Sequence, residues 1–153
     1  MEMPKPSPEQ RKLERLAGRW EGEEKVHPSP WGPTGGTAVG RVENRMAVDG
    51  FALLQDYEQD RGHPGLFRGH GVFHYDAASG EYVLQWIDNS GMPGSMYRGT
   101  FEGDVLTMTT RSPAGSGRAT WTLDGADAYR YLMEVSPDGV TWHPFLEATY
   151  RRR

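Results

Sequence analysis

Turn chemistry recurs roughly every eight to twelve residues along most of the chain, and this spacing limits the folds open to it. "DG" stands at 49–50, "RGHPG" at 61–65, "DAASG" at 76–80, "SGMPG" at 90–94 and "GD" at 103–104. "SPAGS" at 112–116, "DGAD" at 124–127 and "PDG" at 137–139 continue the series. With 20 glycines and 11 prolines in 153 residues, the segments between turns are too short for long helices. They predict strands at 19–27, 37–48, 51–60, 66–76, 81–89, 95–102, 104–111, 117–123, 128–135 and 141–151. Hairpin-type turns between sequential strands make an antiparallel meander, and "DAASG" offers Gly80 for the left-handed position of a tight loop. An open sheet of about ten strands would leave long unpaired edges, so closure into an all-β, up-and-down barrel is expected over 19–151.

One segment breaks the pattern. In "SPEQRKLERLAGRW" Ser7 can cap a helix, Pro8 suits its first turn and Gln10 completes a capping box. Leu13, Leu16 and Ala17 form a single apolar stripe and Gly18 supplies a stop, which predicts one short helix within 7–18 that packs on the barrel. The whole chain, 1–153, reads as one domain.

Composition narrows the function classes. A net charge of −4 and a pI near 5.7 argue against a nucleic-acid partner, and the terminal "RRR" reads as a solvated end. No apolar run is long enough for a membrane helix. "MEMPKPSPEQRKLERL" lacks a signal-peptide core, so a cytoplasmic location is expected. The absence of cysteine removes disulfides, thiolate metal sites and cysteine nucleophiles. The state expected in solution is a monomer or homodimer.

"GHGVFHYDAASGEYVLQWIDNSG" holds the one spacing that suggests a metal, His70 and His74. On a helix H-x-x-x-H would be a credible zinc pair. On a strand the two Cα atoms stand about 13 Å apart, too far to share one ion easily, so no metal is expected. Period 2 puts His70, Val72 and His74 on one face, with Gly69, Gly71, Phe73 and Tyr75 on the other. Either set can face inward, because both carry bulky groups.

"LAGRWEGE", with Gly18 and Trp20 opening the first strand after a short helix, resembles the start of calycin-superfamily barrels, the group of lipocalins, fatty-acid-binding proteins and nitrobindins. "HYDAASGEYVLQWID" and the ending "LEATYRRR" extend the resemblance to a bacterial family of lipocalin-like barrels with no established activity, across nearly the whole chain. The resemblance implies a closed barrel. Nitrobindins hold haem through a histidine on a similar last strand. Here "FLEATYRR" puts Phe145 where that ligand would stand, with His143 two residues earlier as the displaced alternative. This departure weighs against haem, and no cofactor is expected.

The densest mixture of aromatic and titratable side chains lies on the fourth and fifth strands. Tyr82, Leu84, Trp86 and Asp88 share one face. An inward Asp88 needs a partner such as Arg98 or a ligand; alternatively it shapes the "DNSG" turn. Trp20 and Trp86 read as packing residues that can still donate a hydrogen bond. His70 and His74 face either the lumen or solvent. Glu134 and Glu147 are carboxylates on neighbouring strands, more simply placed outside against basic residues. "HPSPWGPTGG" at 27–36 is the longest irregular stretch and a candidate gate at the barrel mouth.

The function expected is binding of a small, partly apolar molecule inside the barrel, with Trp86, Asp88, His70, His74, Tyr57, Arg98 and Tyr82 as candidate ligand-contacting residues. The alternative is a cofactor-independent isomerase, cyclase or hydrolase using His70 or His74 with Asp88 or Tyr57 as acid/base groups. A third reading is an interaction module that dimerises through a sheet face.

Overall fold

The computed structural model describes residues 1–29 and 33–153. Its helical segment starts as the capping box requires: Ser7 accepts from the Gln10 backbone N–H while the Gln10 side chain accepts from the Ser7 N–H. The α-helix proper, α1, spans only Pro8–Arg11, and the chain then tightens into a 3₁₀ segment over Lys12–Leu16. The short helix expected within 7–18 is thus present over Pro8–Leu16, α-helical in its first part and 3₁₀ in its second. A helix this short has little intrinsic stability, and 3₁₀ geometry stacks residues three apart. Leu13 and Leu16 therefore point together into the barrel, at 0% and 1% exposure.

Ten strands follow. They are β1 (Gly18–Val26), β2 (Gly36–Ala47), β3 (Ala52–Asp60), β4 (Phe67–Asp76) and β5 (Glu81–Asp88). The second half holds β6 (Ser95–Glu102), β7 (Val105–Ser112), β8 (Gly115–Asp124), β9 (Ala128–Ser136) and β10 (His143–Arg152). Each pairs antiparallel with its sequence neighbours, and β1 pairs with β10 to close the barrel. The expected meander and closure are both present, with strand ends shifted by a residue or two. Gly80 takes φ +74 and donates its N–H to the Asp76 carbonyl at 2.8 Å, as the "DAASG" loop requires.

The two ends of the barrel differ. At one, the helical segment plugs the lumen. The Leu16 carbonyl accepts from Trp20 Nε1 (2.9 Å) and Asn44 Nδ2 (2.8 Å), and the Glu9 carbonyl accepts from the Tyr82 hydroxyl (2.6 Å). Arg152 locks the same end from the last strand: it donates to the carbonyls of Ala17 and Ala126 and lies 4.2 Å over the Trp20 ring. Above the plug, Leu53, Phe73, Leu106, Met108 and Trp121 form the core. The antiparallel order sends the connections at 27–35, 61–66, 89–94 and 137–142 to the other end, which is the mouth. Of the stretch expected as a gate, 27–36, residues 30–32 lie outside the described residues, and the described remainder stands at that end.

The inward face of β4, left open by the sequence, is the one with Gly69, Gly71 and Phe73. The reason is space. A Cβ on Gly69 would lie 2.0 Å from the Trp86 ring, and one on Gly71 2.9 Å from Leu84, so these glycines make room for the large inward residues of β5.

Candidate functional site

Alternation along β1 sends Trp20, Gly22, Glu24 and Val26 inward, which places a carboxylate inside an aromatic barrel. Glu24 is 0% exposed. A buried carboxylate is costly unless hydrogen bonds replace its water, and three side chains do so here. The Tyr57 hydroxyl on β3 lies 2.8 and 2.7 Å from the two Glu24 oxygens and donates to them, and Gln59 Nε2 donates to Oε1 at 2.8 Å. Tyr150 on β10 donates its hydroxyl to Oε2. Gly40 completes the seat, since a Cβ there would fall 2.0 Å from Glu24 Oε2. Arg61 reaches the group indirectly, donating Nε–H to the Gln59 carbonyl at 2.8 Å.

The surrounding hydroxyls stay protonated at neutral pH. Burial, then the Glu24 charge, holds the Tyr57 hydroxyl far above the ordinary tyrosine value. Burial and the neighbouring Tyr57 and Glu24 do the same to Tyr150, and burial with nearby tyrosines raises Tyr129 and Tyr131.

Over this polar seat lies a cavity of about 330 Å³, the volume of roughly ten water molecules at ~30 Å³ each. Its wall is largely aromatic: Tyr57, Phe67, Trp86, Trp121, Tyr131 and Tyr150 contribute, with Gln55, Gln59, Arg61 and Asp88 as polar points. Tyr57 and Trp86 meet at a ring separation of 6.1 Å, and Trp121 and Tyr131 at 5.2 Å. Asp88 accepts from Trp86 Nε1 at 2.9 Å and from the Ser90 backbone N–H at 3.0 Å. Burial alone would raise its pKa, but bonds from Ser90 and Trp86 outweigh that and hold the carboxyl below the usual range. Asp88 therefore both shapes the "DNSG" turn and lines the mouth of the cavity.

The seven candidate residues separate into three groups. Tyr57, Trp86 and Asp88 line the cavity together. Tyr82 points inward but sits at the plug, where burial pushes its hydroxyl up to about 12. His70, His74 and Arg98 do not line the cavity; of the two places open to the histidines, lumen or solvent, they take the outer one. They occupy the outward phase of their strands, because the glycines of β4 and Tyr97 of β6 take the inward one. His70 Nδ1 instead lies 2.8 Å from Asp56 on the outer surface, and Arg98 bonds Asp76 rather than Asp88, at 3.3 Å. The two outer carboxylates are also separated: Glu134 pairs with Arg118 and Glu147 with His27. Phe145 lines the cavity, whereas His143 is exposed at the start of β10. Among the described residues no group of three or more acidic, histidine or cysteine side chains is placed to hold a metal.

Sequence reasoning overlooked Glu24, Gln55, Gln59, Tyr131 and Tyr150. The signal for Glu24 was present: it lies four residues after Trp20, in the same strand phase.

Gly69 gives a direct test of the β4–β5 wall. Gly69→Ala is expected to push the indole of Trp86 off Asp88, shift its fluorescence and cost about 1–3 kcal/mol in urea unfolding. An unchanged emission spectrum and midpoint would show that the indole is not held there.

These features define a closed ten-stranded antiparallel barrel, plugged at one end, with an aromatic cavity built over a buried carboxylate. The chain belongs to the DUF1579 family, described as proteins of unknown function, whose family model matches residues 5–152. No curated protein matches it in sequence. Among solved structures it is similar to Rv2717c from M. tuberculosis, with a TM-score of 0.74 at 17% identity over 96% of this chain and 98% of that one. It is also similar to the S-type phycobiliprotein lyase CPES from Guillardia theta, with a TM-score of 0.63 at 9% identity over 97% and 98% of the two chains. At these identities the likeness shows the fold alone. No helix among the described residues is long and apolar enough to cross a membrane.

Proposed function

We propose that this chain binds a small, partly apolar molecule in the lumen of its barrel. The observation that carries the reading is the cavity itself: about 330 Å³, walled by aromatic rings and bearing a few polar groups at fixed positions. That is the make-up of a small-molecule site, at the lower end of the usual size range. The plug closes one end and leaves the mouth for entry. The enzymatic alternative loses its histidine, because none lines the cavity among the described residues.

Native mass spectrometry of protein purified from its own host tests the reading, with a retained molecule of small mass as the expected result. Trp86→Phe removes an indole donor and part of the wall, and is expected to weaken that molecule's binding about tenfold with an unchanged circular dichroism spectrum. If no molecule is retained, and neither Trp86→Phe nor Asp88→Asn alters any measured affinity, the lumen is core and not a site.

A further inference from the structure

We propose that the occupant of the lumen is a small organic cation, an ammonium bearing apolar groups, seated against the tyrosine-rich wall in front of Glu24. This deepens the binding reading and rests on it.

Three features of the lumen select for positive charge. The first is the charge inventory. Among the described residues, the charged side chains at the cavity, or directly behind its wall, are Glu24, Asp88 and Arg61. Arg61 is exposed on the rim, where salt and water screen it, while Glu24 is fully buried and is not screened in the same way. Glu24 has no Lys, Arg or His partner within ion-pair distance among the described residues, so its field reaches the lumen without a cation to cancel it.

The second feature is the direction of the hydrogen bonds. Tyr57, Tyr150 and Gln59 all spend donors on Glu24, and Trp86 spends its indole N–H on Asp88. What these groups can still offer an occupant is oxygen lone pairs and π-faces. At these groups an anion would meet acceptors, whereas a cation meets oxygen lone pairs and π-faces. The third is Gln55. It lines the cavity at 8% exposure, and its amide makes no hydrogen bond to a described residue and stands open to the lumen. An amide open to the lumen in this way suits a polar occupant, and its carbonyl oxygen suits a positive charge.

Three probes of similar size and different charge test this on the full chain: benzyltrimethylammonium, its uncharged carbon isostere neopentylbenzene, and 3-phenylpropionate. Binding is read from the indole N–H resonance of Trp86. The cation is expected to bind at least tenfold tighter than neopentylbenzene, with 3-phenylpropionate weakest. Glu24→Gln is expected to shrink the cation-to-neutral ratio at least fivefold. Asp88→Asn, half-exposed and so less demanding of the fold, is expected to shrink it in the same direction. An uncharged or anionic probe that binds as tightly as the cation overturns the proposal and leaves the binding reading standing. A ratio unmoved in every variant that folds also overturns it. If none of the probes shifts Trp86, and the purified protein carries no retained molecule, both the proposal and the reading beneath it fall.

Discussion

Raised above pH 10, the barrel is expected to unfold in one cooperative step, with a midpoint at about pH 11 to 12.5. Tyr57, Tyr129, Tyr131 and Tyr150 all have hydroxyls held well above the ordinary tyrosine value, first by burial and then by neighbouring tyrosines and Glu24. In the unfolded chain they ionise near 10; in the barrel they keep their protons. The folded state then binds more protons than the unfolded one, so stability falls as pH rises. It is fully present below pH 10 and declines above it. Each group contributes about 1.4 kcal/mol per pH unit once its unfolded counterpart is ionised. The four together remove roughly 5–6 kcal/mol per unit, against a typical domain stability of about 5–15 kcal/mol. Tyrosinate absorbance near 295 nm should therefore rise together with loss of near-ultraviolet circular dichroism. Buried tyrosines that ionise one at a time in a still-folded barrel would contradict the packing described.

The second large effect concerns the seat of Glu24. Tyr57→Phe with Tyr150→Phe strips the carboxylate of both hydroxyl donors and leaves only Gln59. A hydrogen bond to a charged group contributes about 1.5–3 kcal/mol, so the double variant is expected to lose roughly 3–6 kcal/mol in urea unfolding. Adding Glu24→Met to that background should recover much of the loss, because an apolar side chain of similar volume needs no donors. A double variant within about 1 kcal/mol of the parent, or no recovery in the triple, would show that the hydroxyls are not what makes this carboxylate tolerable.

Much of the architecture was legible because turn residues and strand alternation are local signals. Glycine and proline clusters marked ten strands, and the capping box marked the helix. The site was harder to read, since a period of 2 says which residues share a face but not which face is inside. On β4 that choice hangs on Gly69 and Gly71, whose lack of side chains admits Trp86 and Leu84 from the next strand. The fact that decides the orientation thus lies on a neighbouring strand. The same holds for Glu24. Its strand phase can be read from Trp20, but the donors that make its burial tolerable come from β3 and from the far end of the chain, at Tyr150. The 3₁₀ form of the helical segment's second half was not legible for a related reason: it brings Leu13 and Leu16 into the barrel together.

The closure of β1 on β10 has a consequence for timing. Glu24 and Tyr150 are 126 residues apart in sequence yet share one hydrogen bond. At about 5–20 residues per second, a ribosome takes roughly 6 to 25 seconds to travel from one to the other. Barrels rich in non-local pairings fold in milliseconds to seconds once their strands exist. The slow step in making this lumen is therefore translation. Until β10 emerges, the first strand carries an acidic residue that lacks one of its three donors, and the nascent chain has no enclosed lumen. On the proposed binding reading, loading of the lumen therefore waits until β10 has emerged and closed the barrel.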